Sequence, residues 1–187
     1  MKVAYRVPLL VAGFLSLGFG IAAGLARLGF GIELPSPALT TLHGPLMGGA
    51  FLGTVISLER AVALGAPWAY AAPLAAGCAG LAWIFGLPAQ AGGAILSAGG
   101  LLLIAASVVI WRRQPELHNA CLGAGAACWA LGAAACAAGA LNAATPAWLG
   151  FLVLTIAGER LELTRFMPPS PRAKIFFAAI CTALLLG

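Results

Sequence analysis

Few side chains of this 187-residue chain carry ligand or acid–base chemistry: two histidines, five carboxylates and five cysteines. His43 is the most informative of them. It stands in Thr41-Leu42-His43-Gly44-Pro45-Leu46-Met47, inside a long apolar stretch. An imidazole shielded from water needs a hydrogen bond, a metal or a haem iron, and an ionisable side chain at membrane depth marks a functional site by default. Two readings stay open. His43 is either an axial ligand of haem iron, for which histidine is a common donor, or it bonds a backbone carbonyl or a Ser or Thr of a neighbouring helix. The second histidine, His118, opens a later apolar run beside Glu116 and Asn119 and reads as an interfacial helix start.

The cysteines (Cys78, Cys121, Cys128, Cys136 and Cys181) all lie in apolar runs, with no CxxC or other metal-ligand spacing. They read as small hydrophobes, not as a thiolate copper site, which needs several converging sulfurs. The carboxylates and arginines are more suggestive. Phe51-Leu52-Gly-Thr-Val-Ile56-Ser-Leu-Glu59-Arg60 recurs as Phe151-Leu152-Val-Leu-Thr-Ile156-Ala-Gly-Glu159-Arg160. This weak repeat implies parallel units of four helices. Glu59, Arg60, Glu159 and Arg160, with Glu162 and Arg165 nearby, read either as interfacial anchors or as a proton path or a propionate or headgroup site. Glu159 with Glu162, and Glu162 with Arg165, are spaced to share a helix face.

The elements that must position these residues are membrane helices. The chain is 62% hydrophobic and only 8% charged, with a mean hydropathy of +1.02. A soluble domain would carry about a quarter charged residues. The net charge of +5 does not indicate nucleic acid, because the basic residues are scattered at helix ends without a basic face or aromatic interleaving. An all-α polytopic bundle is expected, with membrane lipids as its surroundings. A spanning helix needs about 20 apolar residues. Six candidates run roughly over 8–30, 38–63, 67–86, 88–111, 118–142 and 147–166. The first is too long for a signal-peptide core and reads as a retained span. A seventh begins near Lys174 and is cut off at Gly187. Residues 1–187 thus read as a single transmembrane domain, the N-terminal part of a longer protein.

Nine of the ten basic residues fall at the N-terminus or in the loops after spans 2, 4 and 6; Arg27 alone lies on the other side. Positive loops stay cytoplasmic, so an inside N-terminus is expected in a bacterial inner membrane. His43 then lies near the outer surface and His118 near the inner one, so a single haem cannot take both. Small residues crowd the helices, notably Cys121 to Cys136, and argue for a tight bundle over a wide pore.

At 100° per residue His43 shares a face with Met47, Ala50, Thr54 and Ser57, opposite Leu52 and Ile56. The first stripe should face the bundle and the second lipid. Gly44 and Gly48, then Gly49 and Gly53, make two small-xxx-small pairs that admit a neighbouring helix or the flat face of a macrocycle. Met47 packs one turn from His43 and cannot easily be a second ligand to the same iron. Pro45 should kink the helix there.

His43-Gly44-Pro45-Leu46-Met47 resembles the His-Gly-x-x-Met segment on the second helix of haem-copper oxidase catalytic subunits, where the histidine binds low-spin haem. The chain as a whole is more similar to the NnrS family, membrane proteins of the bacterial nitric-oxide response that contain haem and copper. In that family's His-x-His-Glu-Met run and following Phe, the fitting residues here are His43, Met47 and Phe51. Gly158-Glu159-Arg160 through Thr164-Arg165 also resembles its Gly-Arg…Thr-Arg segment. The resemblance implies haem b on His43, bordered by Met47, Gly44 and Gly48. It also implies a whole protein of about twelve helices and a role in nitric-oxide or metal stress instead of respiration, with the remaining ligand from a C-terminal half or partner subunit. Pro45 and Leu46 replace the second histidine and the glutamate, Ala143 stands at the repeat position of His43, and span 6 lacks histidine. Copper is therefore not expected from this chain alone. The alternatives are a half-transporter or permease with Thr54, Ser57 and Asn142 along a path, and a structural membrane protein with no cofactor. An enzyme acting alone is the least favoured: no nucleophile has a base beside it.

Overall fold

The computed structural model describes residues 6–164 together with 175, 176, 179, 180 and 182. Among them the structure is helical without strands. The helices are α1 (Val7–Arg27), α2 (Leu52–Leu64), α3 (Ala71–Ile84), α4 (Ala89–Arg113), α5 (Leu117–Ala137) and α6 (Leu141–Leu163). A 3-10 helix (Pro37–Leu42) and a π-helix (Pro45–Phe51) lead into α2, and a 3-10 turn (Pro67–Tyr70) leads into α3. Five stretches are long and apolar enough to cross a membrane: α1, the rod Pro45–Leu64, α4, α5 and α6. The seventh apolar segment lies largely outside the described residues.

Glycine and proline set the hairpins. Gly65 and Gly86 take left-handed φ values of 71° and 88°, which end α2 and α3 where a side chain would clash. Pro67 and Pro88 follow two residues later, and each opens the next helical segment, where a missing N–H costs nothing. The sixth span differs from expectation: α5 stops at Ala137 and α6 begins at Leu141, with Pro146 inside it. Pro146 is only the sixth residue of α6, so it forfeits one hydrogen bond near the helix start and does not delay it.

The core is built from indoles set into glycine sockets. Trp83 covers Gly92, Trp129 covers Gly53, and Trp148 covers Gly48 and Gly132. All three rings are buried. At Gly93 the backbones of α4 and α5 close directly, since a Cβ there would fall on the Ala137 backbone. Small residues permit this approach in lipid, where packing and not water exclusion drives helix association.

The rod containing the π-helix and α2 touches α1, α3, α4, α5 and α6, and this corrects one expectation. Ala50, Thr54 and Ser57 are buried as anticipated, but Ile56 is buried too and Leu52 is half-buried. The greasy stripe meets protein and not lipid, because helices surround the rod on several sides.

Candidate functional site

The site around His43 begins with backbone. Pro45 has no N–H to return to Thr41. The chain instead runs from the 3-10 helix into the π-helix, where the Leu52 N–H bonds the Met47 carbonyl five residues back. The expected kink is thus realised as a change of helical register. π-Segments inside helices recur at functional sites. The looser winding leaves the Gly49 carbonyl able to accept a bond from Trp129 Nε1 at 3.0 Å, which ties the rod to α5.

His43 is half-buried and leans on α1. Its Nδ1 lies 2.7 Å from the Gly20 carbonyl oxygen. A carbonyl can only accept, so Nδ1 carries a proton, and Nε2 is the ring nitrogen that this bond leaves unengaged. Gly24, one turn from Gly20, makes the approach feasible: a Cβ there would stand 2.8 Å from Nδ1. The Gly20/Gly24 pair is a small-xxx-small signal in the sequence, as legible there as the glycines beside His43 itself.

Two cavities meet at His43. One, of about 450 Å³, lies between the rod and α6 and is lined by Arg27, Thr41, His43, Gly44, Asn142 and Thr145 among others. The other, of about 530 Å³, lies on the α1 side with Gly24, Ile21 and Leu28. Arg27 borders both. Of the residues expected around a cofactor, His43 and Gly44 line the first cavity. Met47 packs on α1 at Gly20, and Gly48 is covered by Trp148. Thr54 Oγ1 donates to the Ala50 carbonyl at 2.7 Å and Ser57 Oγ to the Gly53 carbonyl. Both hydroxyls thus spend their proton within their own helix, whereas Asn142 faces a cavity. Among the described residues no group of three or more His, Cys, Asp or Glu could hold a metal ion. Cys128 and Cys136 are buried free thiols, and the buried Cys121 Sγ donates to the Leu154 carbonyl at 3.2 Å.

At the opposite end of the rod the two repeat positions meet. Arg60 Nη2 contacts Glu59 Oε1 and Glu159 Oε1, each at 2.6 Å. The guanidinium side chain is 9% exposed, its carboxylates 51% and 39%. Arg160 is exposed and stands apart from this pair. Glu162 and His118 line a third cavity beside Arg60, of about 300 Å³. His118 is more buried than an interfacial helix start suggests, at 5% exposure. It shares no cavity with His43, so the two imidazoles serve separate ends of the bundle.

No curated protein and no solved structure matches the chain. A family model described as "Domain of unknown function (DUF8744)" matches residues 6–187. The same span holds the rod, both cavities at His43 and the Arg60–Glu159 bridge, and the chain belongs to the DUF8744 family.

Proposed function

We propose that this protein is a haem-binding membrane protein with His43 as the iron ligand. One observation carries the reading: the Nδ1–H···O=C bond to Gly20. Histidines that bind metal almost always donate their other ring N–H to a carbonyl or carboxylate, which fixes the tautomer and orients the ring. His43 has that arrangement, and its side chain borders two cavities whose volumes lie within the range of about 300–1,000 Å³ usual for small-molecule sites. Gly44 leaves open backbone beside the ring, with only Thr145 Oγ1 close to where a Cβ would stand. Arg27 is the cation within reach for a propionate. Haem b held by His43 would supply an iron able to bind a small molecule. A role in nitric-oxide or metal stress follows from the resemblance to the NnrS family, and the Gly48 face, filled by Trp148, confines the group to the His43 end.

The reading includes a topology. α3 has 14 residues, about 21 Å of helix, and its leading 3-10 turn of four residues adds about 8 Å. Together they match a hydrocarbon core of about 30 Å, which gives six spans. The N-terminus and the Arg60, Arg113 and Arg160 ends lie in the cytoplasm of a bacterial inner-membrane protein by the distribution of basic residues, and His43 lies toward the outer face.

The test is the absorption spectrum of the purified chain titrated with haem. A Soret shift is expected for the unaltered protein and for His118→Ala, and its loss for His43→Ala. A spectrum indifferent to His43→Ala would refute the ligand assignment, and no binding by any variant would leave a cofactor-free membrane protein.

A further inference from the structure

The cavity at the arginine-rich end has a composition that neither a simple anion site nor a cation site explains. Arg60, Arg113, His118 and Asn119 line it together with Glu59 and Glu162. Arg60 is held by two carboxylates through Nη2 alone, and its Nε is buried with no hydrogen-bond partner among the described residues. Arg113 donates only a long contact of 3.5 Å to the Leu64 carbonyl. The His118 ring is buried and makes no hydrogen bond among the described residues. The cavity also contains the start of α5, a helix of 21 residues whose N-cap, Glu116, provides no side-chain cap. Its first N–H groups have no intrahelical partner.

These donors and carboxylates sit at one end of a transmembrane bundle. From that placement we infer that the cavity binds a phosphoethanolamine group: a phosphate ester joined by two carbons to a primary ammonium. The phosphate lies at the α5 N-terminus, where backbone N–H groups and the helix dipole favour an anion, with Arg113 and His118 as further donors. The ammonium lies between Glu59 and Glu162, whose carboxylates are acceptors only. A purely anionic headgroup leaves the two glutamates facing negative charge. A choline headgroup brings a cation without N–H donors. The chemistry fits either a phospholipid headgroup entering from the bilayer or a soluble phosphoamine entering from water.

The experiment uses the full chain in nanodiscs. Retention of phosphatidylethanolamine, phosphatidylglycerol and phosphatidylcholine is compared by native mass spectrometry, and glycerophosphoethanolamine and inorganic phosphate are titrated while the ring shifts of ¹⁵N-labelled His118 are followed. Preferential retention of phosphatidylethanolamine is expected, with a His118 shift. Arg113→Ala and Glu162→Gln should each weaken binding about tenfold, as loss of one charge-assisted hydrogen bond implies. Both positions lie outside the Arg60 bridge, and unchanged melting of the variants shows that the fold persists. A shift with the soluble ester but no lipid preference supports the site and assigns it to a water-borne ligand. Equal response to inorganic phosphate, indifference to Glu162→Gln, or equal retention of all three lipids without a shift from the soluble ester would each overturn the proposal.

Discussion

At the His43 end of the central rod, polarity on the rod is carried by one imidazole on loosened backbone, with Arg27 reaching the cavities from α1. At the Arg60 end it is carried by full charges that cross between regular helices. The first end needs a π-helix, two prolines and a carbonyl from α1 to hold one imidazole. The second needs no distortion, because a long guanidinium reaches from α2 to α6 by itself. The difference follows from reach and desolvation. A short ring must be brought to its partner by the backbone, whereas arginine spans the gap and is offset there by carboxylates that remain partly exposed.

The stretch between the ends sets the largest effect. Gly53→Leu should drive a side chain into Trp129 and destabilise by about 3 kcal/mol or more, the upper range for overpacking. Gly18→Leu, with nothing near its would-be Cβ, should be tolerated. Thermal exposure of the buried thiols Cys128 and Cys136 to a thiol-reactive dye reports both, and equal melting of the two variants would remove the socket argument. Next comes the charged end. Arg60→Met should cost about 2 kcal/mol, below the usual figure for breaking a buried pair because Glu59 and Glu159 are partly exposed. Glu59→Gln should cost less than about 0.5 kcal/mol, since Arg60 keeps Glu159. A Glu59→Gln loss as large as that of Arg60→Met would mean that the charges do not bridge helices as described.

Two indoles then sharpen the contrast within the rod. Trp129 Nε1 donates to Gly49, whereas Trp148 Nε1 is buried with no partner among the described residues. Trp129→Phe should cost about 1 kcal/mol more than Trp148→Phe, the net value of one hydrogen bond plus the orphan it leaves. Smallest of all, His43→Gln should lower stability by about 1 kcal/mol or less, because one neutral bond to Gly20 is at stake; its effect belongs to ligand binding. A large melting shift for His43→Gln would make the histidine a structural strut.

What the sequence discloses follows the same division. Hydropathy and the glycine and proline punctuation place the helices closely, and the separation of His43 from His118 follows from counting spans. The faces are harder. In a soluble helix a polar stripe opposes an apolar one, but a membrane bundle is apolar on both sides, so Ile56 carries no mark telling protein from lipid. The start of α6 is hidden because Pro146 looks like a helix boundary in sequence and lies inside the second turn in the structure. The π-register has no periodic signature in seven residues. Glu159 meets Arg60 across the hundred-residue repeat, but similarity alone does not show that repeats touch.

The π-helix has a further consequence, for the length of the chain and not its composition. It accommodates more backbone per turn than the α-helix that follows it, so the segment from Pro45 to Phe51 behaves as a store of surplus chain. Removing one residue from that store would let the rod wind as an α-helix while its two ends keep nearly their orientation, because bonds to the fourth residue back take up the one residue that bonds to the fifth hold in excess. The imidazole would then stay near Gly20, whereas the same deletion inside α2 would turn everything before it by about 100°. The stretch Pro45–Phe51 is thus where the rod can lose a residue without losing the alignment of its two ends.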